Sequence, residues 1–293
     1  MCLLLQLQGL SKSFGDRQVL HQLEWELPRG RGLHALLAGP GQGKSVLARI
    51  LEGMLPAVGD VRVNGAPPGP GALGYVATEP DFGGVRVETW LAAARRAGSW
   101  DEGIARVVLG DTPAGCAGGR LDRLERARLA LALAVAPRPA LVWLDDPGRA
   151  LGDAERATYV QLVQKALDRH DGGFVLATRD VRPWEALVED ITIMHGGRRL
   201  DTAPVSELLR DVKELHFTLK ATARGWSALR RAGVLRAATD RLQKAVVVRR
   251  ADAELKRQLE ESMGEEVRMV DLELQQIFEA YVDVSSTGTG TRP

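Results

Sequence analysis

No stretch of this chain is apolar for long enough to cross a bilayer. The longest run of small apolar residues, Leu129 to Ala136, falls far short of the roughly 20 residues a spanning helix needs. If the protein works at a membrane, another chain must supply the spanning helices. Cysteine is almost absent. Cys2 and Cys116 have neither metal-site spacing nor a disulfide framework, so a reducing cytosol is expected. Cys2 could open a lipid-anchored N-terminus, but no basic and apolar segments precede it. An excess of charge of one sign is lacking too. The 39 Lys and Arg against 38 Asp and Glu leave a net charge of +1. That balance gives no electrostatic reason to expect nucleic acid or an anionic lipid surface as the main partner. Internal repeats are also missing.

What remains is the composition of an ordinary globular protein, 45% hydrophobic and 26% charged over 293 residues. That length suits one large α/β domain with a small second one. From Leu3 to Gly30 apolar and polar residues alternate around a turn at Gly15-Asp16, predicting a small antiparallel sheet. Gly32 to Leu37 reads as a short buried strand running into a glycine-rich turn and a helix over 44–54. Residues 59–65 read as a strand and turn, followed by a Pro/Gly loop at 67–71. Residues 88–135 are mostly helical in pattern, interrupted at 110–119. Then come a continuous apolar strand at 140–144, an amphipathic helix at 153–170, and strands at 174–178 and 191–194. Alternating strands and helices argue for a mostly parallel sheet wrapped by helices.

A composition shift near Asp211 marks a second domain. Its reading is strand 214–221, helix 225–232, strand 244–250, helix 252–263, strand 266–271 and helix 272–282. That is close to a ferredoxin-like βαββαβ order with an added helix. Residues 285–293 are rich in Ser, Thr and Gly and are expected to be a disordered tail.

The most informative segment is Ala38-Gly39-Pro40-Gly41-Gln42-Gly43-Lys44-Ser45, between a strand and a helix. This is the context of a P-loop: glycines let backbone amides curl around phosphates, and the helix N-terminus favours the anion. Lys44 would reach the β- and γ-phosphates, and the Ser45 hydroxyl would ligate magnesium. Ala38 stands in the first glycine position at the cost of one methyl group. Asp145, closing the apolar strand, is placed to hold the metal through water.

In this order the parts resemble an ABC-type ATPase over about residues 3–210. The carriers are LSKSFGDRQVLHQLEWELPRG, ALLAGPGQGKSVLARILEGMLPAVGDVRVNG, PRPALVWLDDP and VEDITIMHGGRRLDTAPVSELL. The resemblance implies residues 38–46, with Val46 the last, as the nucleotide loop and Phe14 as the aromatic that stacks on adenine. It also implies ATP and Mg2+ as cofactors. The closing VRMVDLELQQIFEAYV looks like the accessory domain on ATPase subunits of a class of bacterial ABC exporters.

Against the family pattern, this sequence departs at the chemistry. The catalytic glutamate position is Asp146, one methylene shorter, and a misplacement of roughly 1 Å can cost on the order of 100-fold. Asp146 is then a weakened general base. Thr78 stands where the family has the glutamine that senses the γ-phosphate, in Tyr75-Val76-Ala77-Thr78-Glu79-Pro80. The switch-histidine position is Arg179, which cannot exchange protons near neutrality but can hold a phosphate. Two readings of Arg179 stand: a clamp on ATP, or a surface arginine paired with Asp180 or a nearby acid. The Ser-Gly-Gly signature is replaced by Leu121-Asp122-Arg123-Leu124-Glu125, with Gly118-Gly119 close by, and the Asp loop reads Ala150-Leu151-Gly152. Trp90 lies where the family docks its membrane partner; it reads as an interface residue or as an ordinary packed aromatic.

The expected fold is therefore an ABC-type P-loop α/β domain at 1–210, with a helical subdomain at about 85–135, and an α+β accessory domain at 211–284. The expected function is an ATP-binding subunit of a bacterial ABC transporter with weak or lost hydrolysis. It would sit peripherally on the cytoplasmic face of the cell membrane, with a membrane-spanning subunit and a second ABC ATPase, identical or different, as partners. The alternatives are a conventional hydrolysing ABC ATPase using Asp146, and a soluble ABC protein acting outside transport. Nucleic acid is not expected as a partner.

Overall fold

The computed structural model describes residues 3–28, 32–69, 71–218, 223–240 and 243–286. Cys2, and the tail expected at 285–293 beyond Ser286, lie outside the described residues. The chain forms two compact units, Met1–Asp201 and Thr202–Pro293. The division falls a short helix ahead of the expected 210/211 boundary.

The first unit opens with β1 (Leu3–Phe14) and β2 (Arg17–Pro28), antiparallel and joined by the turn at Gly15. In β2, Leu23, Trp25 and Leu27 are buried while Gln22, Glu24 and Glu26 are exposed, the period of two of a half-buried strand. Next come β3 (Leu33–Leu37), α1 (Lys44–Leu51), β4 (Val58–Val63) and β5 (Leu73–Val76). Then follow α2 (Val87–Ala97), α3 (Glu102–Leu109) and α4 (Arg123–Val135). The unit continues through β6 (Leu141–Asp145), α5 (Asp153–Leu167), β7 (Gly173–Thr178) and β8 (Val188–His195) to β9 (Arg198–Pro204).

Two sheets result. One is three-stranded and antiparallel in the order β2-β1-β4. The other has the order β5-β6-β7-β3-β8-β9, and β5 through β8 in that order run parallel. Every residue of β6 and β7 is buried, as strands covered on both faces must be, which is why they read as unbroken apolar runs. One core joins the sheets. Leu5, Leu7 and Trp25 pack with Leu36, Leu47, Trp143 and Val175, and the Trp25 and Trp143 rings meet edge to face at 6.4 Å. β5 was not foreseen as a strand. It is a four-residue edge strand, too short to show a period, yet it pairs in register with β6 and delivers Tyr75 and Thr78 beside Asp145.

The second unit contains α6 (Val205–Asp211), β10 (Lys213–Thr218), α7 (Ala223–Ala232), β11 (Val234–Asp240) and β12 (Gln243–Val248). It closes with α8 (Ala253–Met263), β13 (Arg268–Asp271) and α9 (Leu274–Ser286). Its sheet order is β11-β12-β10-β13, with every pair antiparallel. β11 is an addition to the expected elements and completes a βαββαβ sequence. Its Arg, Ala and Asp content is poor in strand formers, so pairing with β12 rather than local preference makes it a strand. Ser285 and Ser286 belong to the last turn of α9, not to the tail. A separate core of Leu215, Phe217, Leu229, Val246, Val248 and Leu259 holds this unit together.

Candidate nucleotide site

The carboxyl ends of β3, β6 and β7 lie side by side, and the chain leaves each of them at a residue singled out from the sequence. This is where ligands sit in parallel α/β sheets. After β3 the loop from Ala38 to Gly43 turns into α1. Gly41 and Gly43 have φ of 70° and 100°, which a side chain resists. A Cβ on Gly43 would lie 2.8 Å from Leu20 Cδ2. Lys44 folds back over the loop, donating from Nζ to Ala38 O at 2.6 Å and Gly39 O at 3.0 Å. Burial pushes its ammonium below the usual lysine range, opposed by Asp146 and Asp145 and reinforced by the positive charges of Arg179 and Arg149. Gly196 N donates to Gln42 Oε1 at 2.5 Å, tying the loop to the turn after β8.

Beside the loop is a cleft of about 390 Å3 lined by Phe14, Arg17, Val19 and residues 41–46. Phe14 is 48% exposed, a large aromatic left facing solvent at the mouth of this cleft. Lys12 Nζ lies over its ring, 5.1 Å from the centroid. Ala38 is fully buried and its amide donates to Thr178 O at 3.1 Å, so the methyl group in place of a first glycine is accommodated in the core. Gly39 and Pro40 complete the loop, and Val46 is half-buried at its end.

Asp145 is 4% exposed and accepts two hydrogen bonds at Oδ2, from Ser45 Oγ at 2.7 Å and Tyr75 Oη at 2.9 Å. Ser45 and Asp145 supply the hard oxygen donors that magnesium takes, beside the phosphate loop, so the residues fit that ion. Burial, followed by the adjacent Asp145 carboxylate, holds the Tyr75 hydroxyl well above its usual range and keeps it a donor. Tyr75 was not foreseen as a site residue; its position in the Tyr75-to-Pro80 segment is the only signal the sequence carries. Thr78 donates from Oγ1 to Asp145 O at 2.7 Å, bracing the same strand end rather than reaching outward as a glutamine would.

Asp146 sits in the left-handed region at φ 48°, where Asp is among the few side chains tolerated. Its amide donates to Ala177 O at 2.7 Å, and its Oδ1 accepts from Thr178 Oγ1 at 2.7 Å. One of its two oxygens is therefore engaged by the neighbouring strand. Arg179 is exposed directly after β7 and lines a cleft of about 130 Å3 with Asp146, Thr178 and Asp180. Asp180 is held by the fork of Arg182, at 2.8 Å for each contact, and this pairing keeps its carboxyl below the usual range.

The N-terminus of α4, where the signature is expected, is closed by its own side chains. Glu125 N donates to Asp122 Oδ1 at 2.7 Å and Asp122 N donates to Glu125 Oε2 at 2.9 Å, a reciprocal capping box. Gly118 and Gly119 open a single-turn 3-10 helix, Gly118–Arg120. Their amides donate to Val85 O and Gly83 O at 2.8 and 2.7 Å, and a Cβ on Gly118 would lie 2.3 Å from Phe82 Cβ. Gly152 caps α5, its amide donating to Glu155 Oε2 at 2.9 Å. Trp90 packs edge to face on Phe82 at 5.7 Å while remaining 37% exposed, so it has both a packed and an open side.

No protein-family model matches the chain. Over 213 residues it is 33% identical to the aliphatic sulfonates import ATP-binding protein SsuB 3 of Rhodococcus jostii, covering 67% of this chain and 72% of that protein. The chain belongs to the ATP-binding subunits of ABC transporters. An SsuB 1 protein of Rhizobium johnstonii is 32% identical over 216 residues, covering 66% of this chain and 74% of the relative. Among solved structures, an ATP-binding subunit of an ABC transporter superposes with a TM-score of 0.61 at 18% identity, covering 71% of this chain and 92% of that one. A bacterial Atm1-family ABC exporter with ATP bound gives 0.60 at 17% identity, covering 70% of this chain and 40% of that one. At such identities these two establish the ABC ATPase fold alone.

Proposed function

We propose that this ABC subunit binds Mg-ATP at residues 38–46 with Phe14 against the base, and uses it chiefly as a clamp with little turnover. The observation that carries the proposal is Asp146, whose short carboxylate has its Oδ1 tied to Thr178 Oγ1 at 2.7 Å. A general base must first be within reach of the proton it removes. The α4 capping box supports the same reading. Two carboxylates occupy the helix N-terminus that would otherwise meet a partner's γ-phosphate, and like charges there oppose it.

In mechanism, magnesium when bound would neutralise phosphate charge next to Ser45 and Asp145. Lys44 and the loop amides would hold the β- and γ-phosphates, and Arg179 the terminal one. Nucleotide bound only by the folded, paired state stabilises that state by linkage, so a slow site still holds two ATPase chains together. The partners are a membrane-spanning subunit and a second ABC ATPase, with the chain peripheral on the cytoplasmic face. Its relatives are named as import subunits, while the α9 segment resembles accessory domains of exporters. The membrane subunit, which selects substrate in this family, would set the direction.

The test is steady-state and single-turnover ATP hydrolysis by the complex with its membrane partner, wild type against Asp146→Ala. The expected result is near-background turnover in both, with ATP still bound. Appreciable turnover abolished by Asp146→Ala would make Asp146 a working base and overturn the clamp reading.

A further inference from the structure

Arg17 belongs to none of the motifs considered above, yet it stands in the cleft beside the phosphate loop. It lines that cleft of about 390 Å3 together with Phe14, Val19 and residues 41–46. It is the first residue of β2 and the cross-strand partner of Phe14, the last residue of β1. Residues directly opposite in an antiparallel pair share a face, so the aromatic ring and the arginine leave the sheet side by side. Val19, two residues further on, reaches the loop itself: a Cβ on Gly43 would lie 3.4 Å from Val19 Cγ1.

The other cations of this corner are already engaged. Lys12 Nζ donates to Pro56 O at 2.6 Å, and Lys44 Nζ donates to Ala38 O and Gly39 O. Arg17 is exposed, and among the described residues it makes no hydrogen bond or ion pair. A planar base lying against Phe14 would therefore present one edge to an arginine whose donors are all open. A guanidinium carries donors only. The N7 edge of guanine offers two acceptors, N7 and O6, which the arginine fork matches bidentately; the same edge of adenine pairs N7 with the N6 amino donor. The Lys12 ammonium over the Phe14 ring adds positive charge at the same place, and that too favours an edge made of acceptors.

We infer that Arg17 is a specificity-determining residue for the base, and that the site takes a guanine nucleoside triphosphate at least as readily as ATP. The inference rests on reading residues 38–46 as the nucleotide site with the base against Phe14. It adds to that reading the edge by which the protein meets the purine.

The experiment is calorimetric titration of the full-length chain, in Mg2+, with non-hydrolysable analogues of ATP and of GTP. Wild type, Arg17→Ala, Arg17→Lys and Lys44→Ala are compared. Wild type is expected to bind the guanine analogue at least as tightly as the adenine one. Arg17→Ala is expected to weaken the guanine analogue about tenfold and the adenine analogue less than about twofold, the discrimination that one bidentate contact supplies. Arg17→Lys keeps the charge but loses the fork, so it should lose the same discrimination. Arg17 is exposed, so the melting temperature should be unchanged. Equal weakening of both analogues would make Arg17 a contact for ribose or phosphate and overturn the inference. No weakening of either, or a wild type that prefers the adenine analogue, overturns it too. If Lys44→Ala abolishes binding of both while Arg17→Ala leaves their ratio unchanged, only the assignment of Arg17 fails. If Lys44→Ala binds both like wild type, the nucleotide site itself has been misread.

Discussion

Tyr75→Phe removes one atom and so isolates the contact that ties β5 to the acidic end of β6. The hydroxyl donates to Asp145 Oδ2 at 2.9 Å, and Asp145 is 4% exposed. Hydrogen bonds to charged acceptors contribute about 1.5–3 kcal/mol. Tyr75 is only half-buried and Ser45 still donates to the same oxygen, so the lower end, about 1.5 kcal/mol, is expected. At about 2–4 °C per kcal/mol for a unit of this size, the melting temperature should fall by about 3–6 °C. The pH dependence has a definite sign. The Tyr75 hydroxyl is held above its ordinary 10.0 in the fold, so the unfolded chain loses that proton first. The contribution is complete below pH 10 and shrinks as pH rises above it, so wild type and variant should converge in alkali. The assay is thermal and urea unfolding of both proteins at neutral pH and above pH 10. An unchanged midpoint at neutral pH, or a gap that widens in alkali, would refute the reasoning.

Two further outcomes are expected. Gly43→Ala places a methyl group 2.8 Å from Leu20 Cδ2 at a φ of 100°, so nucleotide affinity should fall at least about tenfold; titration showing wild-type affinity would deny that this conformation is needed. His34, bonded to Thr192 Oγ1 at 2.9 Å, is pushed down to about 3 by burial, so it stays neutral in the fold while the unfolded chain takes up a proton below 6.5. Its contribution is present above pH 6.5 and lost as pH falls toward 3, so wild type should lose about 1–2 kcal/mol more than His34→Gln between pH 7 and 5, measured by urea unfolding. Parallel pH curves for the two proteins would remove the explanation.

Much of the site was legible because it is local. Residues 38–45 encode their turn through glycines, and the apolar run into Asp145 announces a strand buried on both faces. Thr78, Asp146 and Arg179 were singled out through the resemblance to the family's motifs, and the fold places each just beyond the end of a strand. Tyr75 could not be singled out in this way. A tyrosine in a four-residue edge strand has no periodicity, and its importance lies in the Asp145 carboxylate across from it. Gly118-Gly119 lies close to the expected signature in the sequence, but only the fold shows that it opens a short 3-10 helix, Gly118–Arg120, with Gly118 against Phe82.

By itself, then, the sequence determined the glycine-rich turn between β3 and α1 and the parallel α/β plan, since each depends on short-range pattern. It could not determine β11, whose residues become a strand only against β12. Nor could it determine that the Asp146 carboxylate is tethered to Thr178, or that Asp122 and Glu125 close the α4 N-terminus. Thr178 is 32 residues from Asp146 in the chain and 2.7 Å from it in space. Only the pairing of β6 with β7 brings two such groups together, so only the tertiary structure decides which partner a carboxylate takes.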